Sequence, residues 1–230
     1  MSEHEMKVIA RIRTDFPDKF GIPRQSALLD MLESKIVFEP EFRVPEAIRG
    51  IEDWSHLWLI WQFSQSVRED WSPTVRPPRL GGNKRVGVFA TRSPFRPNPI
   101  GLSCVRLLRV EKERENGTVL IVSGADMVDG TPIYDIKPYL PFADARPEAS
   151  GGFADAEFGE KLTVTFPDEY LCRLPESKRE AVLRLLSEDP RPAVREGDTE
   201  RIFGMKFAGF EIKFRVEGDR LTVVSTEKEY

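Results

Sequence analysis

SCVRLLRVEKERE-NG-TVLIVSGADMV, residues 103–128, is the stretch whose reading decides the fold. Two runs rich in Val, Leu and Ile flank Asn116-Gly117, a dipeptide that accepts positive φ at both positions of a tight turn. The flanks therefore pair as an antiparallel hairpin.

Outward from that hairpin the same texture repeats. MKVIARIR at 6–13, KIVF at 35–38, HLWLIWQF at 56–63 and RVGVFA at 85–90 all read as short strands. Few helical patterns lie between them, so the chain lacks the strand–helix alternation of a parallel doubly wound sheet; an antiparallel barrel or sandwich is expected instead. Six prolines between Pro73 and Pro99 forbid regular ladders there and predict long irregular loops around RVGVFA. After Phe153, EKLTVTF at 160–166 reads as a strand and PESKREAVLRLLSED as a helix of about three to four turns. RIFGMKFAGFEIKFRV and RLTVVST add two or three strands, with Glu217-Gly218-Asp219 as a hairpin turn. The expected protein is mainly β: a small antiparallel β-barrel over residues 1–155, then a C-terminal α+β subdomain over 156–230.

The composition, 40% hydrophobic and 31% charged over 230 residues, is that of a globular chain able to bury its own core. The N-terminus has acids where a secretion signal needs basic and apolar residues, and the longest uncharged apolar stretch, Leu57 to Trp61, is too short to span a bilayer. A cytoplasmic protein without a membrane role is expected. Cys104 and Cys172 have neither framework nor CxxC spacing and read as packed small hydrophobes. Two histidines, His4 and His56, without an HExxH pattern, give no support for a metal site.

The net charge of −4 hides an uneven distribution. Trp71 to Val110 carries eight basic residues and no acid, leaving 26 basic against 38 acidic residues elsewhere. An acidic body with one basic strip points to a polyanionic ligand docking at one place, unless acidic neighbours in the fold neutralise the strip.

Several enzyme classes lack their motifs. Gly82 to Gly87 has P-loop glycine spacing, but Val88 and Phe89 stand where Lys and Ser or Thr would contact phosphate and magnesium. No GxGxxG opens a helix, and Ser93 and Ser103 lack a nucleophile-elbow context. What remains is a series of polar, glycine- and proline-rich motifs: GIPRQS at 21–26, SHLW at 55–58, RPPRLGGNKRVGVFATRSPFRPNPIGLS at 76–103 and DMVDGTPIYDIKPYLP at 126–141. In that order they resemble the TsaA-like family of tRNA adenine-N6 methyltransferases, and DPRPAVRE resembles the C-terminal extension of its bacterial members.

The resemblance covers nearly the whole chain. It implies a non-Rossmann methyltransferase barrel, working as a homodimer, that moves a methyl group from S-adenosylmethionine to N6 of threonylcarbamoyl-adenosine beside the anticodon, in threonine tRNA. By the same resemblance Pro23, Arg24, Gln25, His56, Leu57, Arg92, Leu102, Asp129, Gly130, Thr131 and Pro132 fall where the family binds the cofactor. Their chemistry agrees: Asp129 can accept from a hydroxyl or ammonium, Gly130 admits close backbone approach, Pro23 and Leu102 can wall an adenine, and Arg24 or Arg92 can meet a carboxylate. VDGTP also reads as an ordinary turn, and His56 between Trp54 and Trp58 as a half-buried histidine. Tyr134, Tyr139 and Phe142 read either as core or as base-stacking surface.

Methyl transfer asks mainly for alignment and exclusion of water, with a nearby acceptor for the N6 proton. Asp126, Asp129 and Asp135 are candidates that the sequence does not rank, so the catalytic residue stays unassigned. Arg76, Arg79, Lys84, Arg85 and Arg96 are the expected contacts to the anticodon arm. Two other readings stay open: a non-catalytic RNA-binding barrel, and an S-adenosylmethionine-dependent methyltransferase with another substrate.

Overall fold

The computed structural model describes residues 5–22, 30–77, 84–154, 161–191 and 201–229. These form strands β1 (Ala10–Arg13), β2 (Glu33–Phe38), β3 (His56–Gln62), β4 (Thr74–Val75), β5 (Val86–Gly87), β6 (Ile100–Glu113), β7 (Gly117–Ser123), β8 (Pro132–Pro138), β9 (Thr163–Thr165), β10 (Phe203–Phe207), β11 (Phe210–Glu217) and β12 (Arg220–Lys228). Three helices, α1 (Pro141–Asp144), α2 (Asp168–Leu171) and α3 (Glu176–Ser187), complete a mainly β architecture, as the strand texture predicts. The chain divides into two compact units: one of Met1–Thr14, Gln25–Asp70 and Pro97–Ala145, the other of Asp15–Arg24, Trp71–Arg96 and Arg146–Tyr230.

In the first unit six antiparallel strands close into a barrel in the order β1-β2-β7-β6-β3-β8, with β1 and β8 meeting at Ala10 and Ile133. Closure satisfies the backbone groups that an edge strand would leave open. Alternating residues fill the interior: Ile12 from β1, Ile36 from β2, Leu57, Leu59 and Trp61 from β3, Val105 from β6, Leu120 and Val122 from β7. Each such side chain contributes about 1.5–3 kcal/mol by leaving water.

The expected hairpin forms, but its turn differs. Glu113 pairs with Gly117 across three residues, Arg114 to Asn116, and only Gly117 takes a positive φ, +68°. A three-residue connection needs one left-handed residue rather than two. Asn116 instead donates its side-chain Nδ2–H to Glu113 Oε2 at 2.6 Å.

Two further expectations are corrected. RVGVFA is not one strand: Val86–Gly87 pairs with Thr74–Val75, then the chain tightens into a 3-10 turn at Val88–Ala90. Val88 N–H is taken by the Pro73 carbonyl at 2.9 Å, and the Thr91 hydroxyl donates to Val88 O at 2.8 Å, so these groups serve a turn rather than a ladder. Cys104 is half-buried, but Cys172 is exposed at the end of α2 and does not pack as a hydrophobe.

The second unit holds a four-stranded sheet, β10-β11-β12-β9, with β9 parallel to β12. Glu217 pairs with Arg220 across Gly218-Asp219, the expected tight turn, with Gly218 at φ +59°. Helix α3 starts behind Pro175 and buries Ala181, Val182, Leu185 and Leu186, the residues that recur at helical spacing. Among the described residues no helix is long and apolar enough to cross a membrane.

Gly101 leaves no room for a side chain in the barrel wall: a Cβ there would lie 2.2 Å from Cε2 of the Trp61 indole, which is itself buried. Gly101→Ala should therefore cost about 1–3 kcal/mol through overpacking, seen as a lower denaturant midpoint with an unchanged slope. An unchanged midpoint would mean the ring is free to move.

Candidate functional site

Strand alternation sorts the candidate residues of the barrel unit. On β3, Leu57 is 0% exposed and sits in the core, while its neighbour His56 is half-buried on the opposite face. A ligand touching both must reach Leu57 through its backbone. Leu102 on β6 is 54% exposed and lies opposite Ile60, which in turn lies opposite Asp135 of β8. His56 is four residues from Ile60 along β3, roughly 13 Å at strand rise, so His56 and Leu102 share a face but not a neighbourhood.

The Leu102 end also carries the turn Val128–Thr131, where Thr131 N–H returns to Val128 O at 3.2 Å and Gly130 takes φ +76°. A side chain at Gly130 would be strained at that φ, which explains the Asp-Gly order. Asp129 ties this turn to β1: Oδ1 accepts from Thr14 N–H at 3.0 Å and Oδ2 from Arg13 Nη1 at 3.2 Å. Gly130 N–H reaches Ile12 O at 2.8 Å, and Thr131 O receives Ile12 N–H at 3.1 Å. Thr131 and Pro132 are buried, with the Thr131 hydroxyl on Val128 O at 2.7 Å. The turn reading and the binding reading thus fall on the same residues.

A polar chain runs beneath this turn. Trp61 Nε1–H donates to Ser103 Oγ at 3.0 Å, and Ser103 Oγ–H donates to Asp126 Oδ1 at 2.5 Å. Sequence reading set Ser103 aside as a nucleophile and left Asp126 unranked; their pairing across 23 residues has no local signal. The other candidate carboxylates meet cations: Asp129 meets Arg13, and Asp135 Oδ2 lies 3.1 Å from Lys137 Nζ. Tyr134 sits where the β3–β8 register shifts between Ile60 and Trp61, and burial raises its phenol pKa, keeping it neutral.

At the far end of β3, His56 Nδ1 lies 2.9 Å from Ser55 Oγ, and its ring meets Tyr139 edge-on at 6.3 Å. Trp58 packs on Tyr139 and donates to Asp144 Oδ2 at 2.9 Å. Cys104, opposite Trp58, is held protonated by burial and, secondarily, by the Asp144 charge. Tyr139 is thus packed, while Phe142 projects into solvent.

The second unit carries the basic stretch. Arg76, Lys84, Arg85 and Arg92 are exposed; Arg96 is half-buried, with Nη1 on Thr91 O at 3.1 Å. None of these five forms an ion pair among the described residues, whereas Arg109, at the other end of the acid-free run, is clamped by Glu33 and Glu111 and its pKa is raised further by their hydrogen bonds. The strip is therefore shorter than the sequence implies, and where it remains it meets no carboxylate among the described residues. Pro23, Arg24, Gln25 and Arg79 lie outside the described residues. Among the described residues no three His, Cys, Asp or Glu side chains gather as a metal site would require.

Removing the Asp129 tether should loosen the turn. Asp129→Ala is expected to lower stability by about 0.5–1.5 kcal/mol, the range for a partly exposed acceptor of a backbone N–H and an arginine. A chemical denaturation curve identical to the parent's would show that the tether does not hold the turn.

Comparison with known proteins supplies the family. Residues 11–145 match the model of the tRNA-methyltransferase O N-terminal domain, and residues 159–229 match that of the TrmO C-terminal domain. The chain is 40% identical over 234 residues to the tRNA (adenine(37)-N6)-methyltransferase of Escherichia coli K12, covering 99% of both. It is 40% identical over 216 residues, 91% of each, to a putative S-adenosylmethionine-dependent methyltransferase, RcsF, of Pseudomonas aeruginosa PAO1. A crystal structure of TrmO from Pseudomonas aeruginosa superposes with a TM-score of 0.75 at 32% identity, over 98% of this chain and 99% of the other. With both domain models matched in order and the full length shared, this chain belongs to the TrmO family of tRNA methyltransferases.

Proposed function

We propose that this chain is an S-adenosylmethionine-dependent methyltransferase acting on N6 of the adenosine beside the tRNA anticodon, position 37 in the name of its Escherichia coli relative. The finer reading is N6-threonylcarbamoyl-adenosine of threonine tRNA as substrate, with a homodimer in the cytoplasm as the working form. The observation that carries the RNA part is the run of Arg76, Lys84, Arg85, Arg92 and Arg96 without a carboxylate partner among the described residues, in a chain whose net charge is −4.

The donor set fits the cofactor. Leu102 offers exposed apolar surface for a flat purine, and Gly130 a backbone without a side chain in the way. Asp129, though engaged by Thr14 and Arg13, keeps acceptor capacity, because each carboxylate oxygen takes more than one bond. Arg92 enters the proposal on the family resemblance, with the guanidinium fork that a carboxylate prefers. Pro23, Arg24, Gln25, His56, Thr131 and Pro132 stay in the proposal on the family resemblance alone. When bound, S-adenosylmethionine supplies a methyl group on a positively charged sulfur.

What the chain adds is orientation and proton handling. Asp129 fixes the turn, and Ser103, itself fixed by Trp61, fixes Asp126. Asp126 accepts from the Ser103 hydroxyl, while Asp129 and Asp135 meet Arg13 and Lys137, and the proposal keeps all three as candidate acceptors of the N6 proton. Outward-facing Ile100 and Leu108 on β6 are apolar surface that a second copy would cover.

Isothermal titration with S-adenosylmethionine should give saturable binding, lost in Arg92→Ala; no binding by the parent protein would leave the non-catalytic RNA-binding barrel. Replacing Arg76 and Lys84 together by Ala should weaken tRNA binding and flatten the log–log salt dependence by roughly one to two units, with cofactor affinity retained. An unchanged slope would remove the strip from the RNA interface.

A further inference from the structure

Two large aromatic residues stand exposed on the same unit as the unpaired cations. Trp71 is 51% and Phe89 72% exposed, yet their rings stack on one another, centroids 6.0 Å apart and planes 28° from parallel. The unit's other stacked or tilted phenylalanine pairs, Phe16 with Phe207 and Phe203 with Phe214, are buried. The Trp71–Phe89 pair contributes no comparable core packing, and it leaves ring faces in water.

The local fold explains the pairing. Strands β4 and β5 form a ladder of two rungs, Thr74↔Gly87 and Val75↔Val86. Trp71 precedes the first rung by three residues and Phe89 follows it by two, while Arg76 and Arg85 directly adjoin the second, so that five positions separate Trp71 from Arg76 and four separate Arg85 from Phe89. Arg85 leans back across the ladder, with Nη1 on Thr74 Oγ1 at 3.3 Å. Rings and cations therefore belong to one small hairpin, the pairing of π-face and positive charge that single-stranded nucleic acid uses.

We propose that Trp71 and Phe89 form a stacking platform for an unpaired nucleobase of the bound RNA, whose neighbouring phosphates lie on Arg76 and Arg85. The proposal rests on the RNA reading above and adds to it a discrimination: the platform needs an unstacked base, so it favours a loop over a duplex of equal charge. Stacking is sequence-tolerant because every base has a π-face, and it releases no counterions.

The test is fluorescence anisotropy with two labelled RNAs, an anticodon stem-loop and a fully paired duplex with the same number of phosphates. Phe89→Ala and Trp71→Ala should each weaken stem-loop binding by roughly tenfold, with the salt slope and duplex affinity unchanged. Phe89→Tyr and Trp71→Phe, which keep a ring, should bind as the parent does. Both pairs of variants should melt as the parent does, because the rings are exposed. Equal losses on both RNAs, or no loss on either, would overturn the platform while leaving the basic strip standing. A dimer that dissociates in Phe89→Ala with stem-loop affinity intact would overturn it in favour of a second copy covering the rings. If the parent bound neither RNA, the RNA reading itself would fall, and the platform with it.

Discussion

The indole of Trp61 joins the fold of the barrel unit to its candidate site. Its flat face lies where any side chain on Gly101 would stand, which locks β3 against β6, and its N–H holds Ser103, which in turn holds Asp126. Hydrophobic burial of a large ring and satisfaction of its one polar atom are met by the same arrangement, as a buried tryptophan requires. The consequence is that the loop after β7 leaves the barrel with one carboxylate already oriented from below. Asp129 then orients the same loop from the side, through Thr14 and Arg13.

Charge is arranged by a different logic along the strip from Arg76 to Arg96 than elsewhere in the chain. On the barrel, basic side chains such as Arg11 and Lys35 meet Glu39 and Glu113, and Arg109 is taken by two glutamates at once. Surface pairs of this kind add little stability, but they cancel the field around them. Between Arg76 and Arg96 that cancellation is missing among the described residues, so the positive potential persists for a ligand to use.

How much of this was legible in the sequence follows from the range of each signal. The hairpin at 103–128 was readable because glycine's left-handed freedom is a local property; the structure changes only which residue uses it, Gly117 and not Asn116. Helix α3 and the Gly218-Asp219 turn were readable for the same reason. Strand β8 was hidden because it begins and ends on Pro132 and Pro138, residues that ordinarily argue against a strand but are tolerated at its ends. The Ser103–Asp126 bond and the parallel pairing of β9 with β12 are products of register and of strands far apart in the chain, which composition and spacing do not encode. The family motifs carried what periodicity could not, because they mark positions by identity rather than by local conformation.

The central claim, that this chain methylates an adenine amine beside the anticodon, is tested most directly by mass spectrometry of nucleosides. Transfer RNA lacking the modification would be incubated with the protein and methyl-labelled S-adenosylmethionine, digested, and searched for labelled products. The account predicts label in one N6-methylated adenosine derivative, located next to the anticodon. Label on another base or at another position, or no label although cofactor and tRNA both bind, would contradict it.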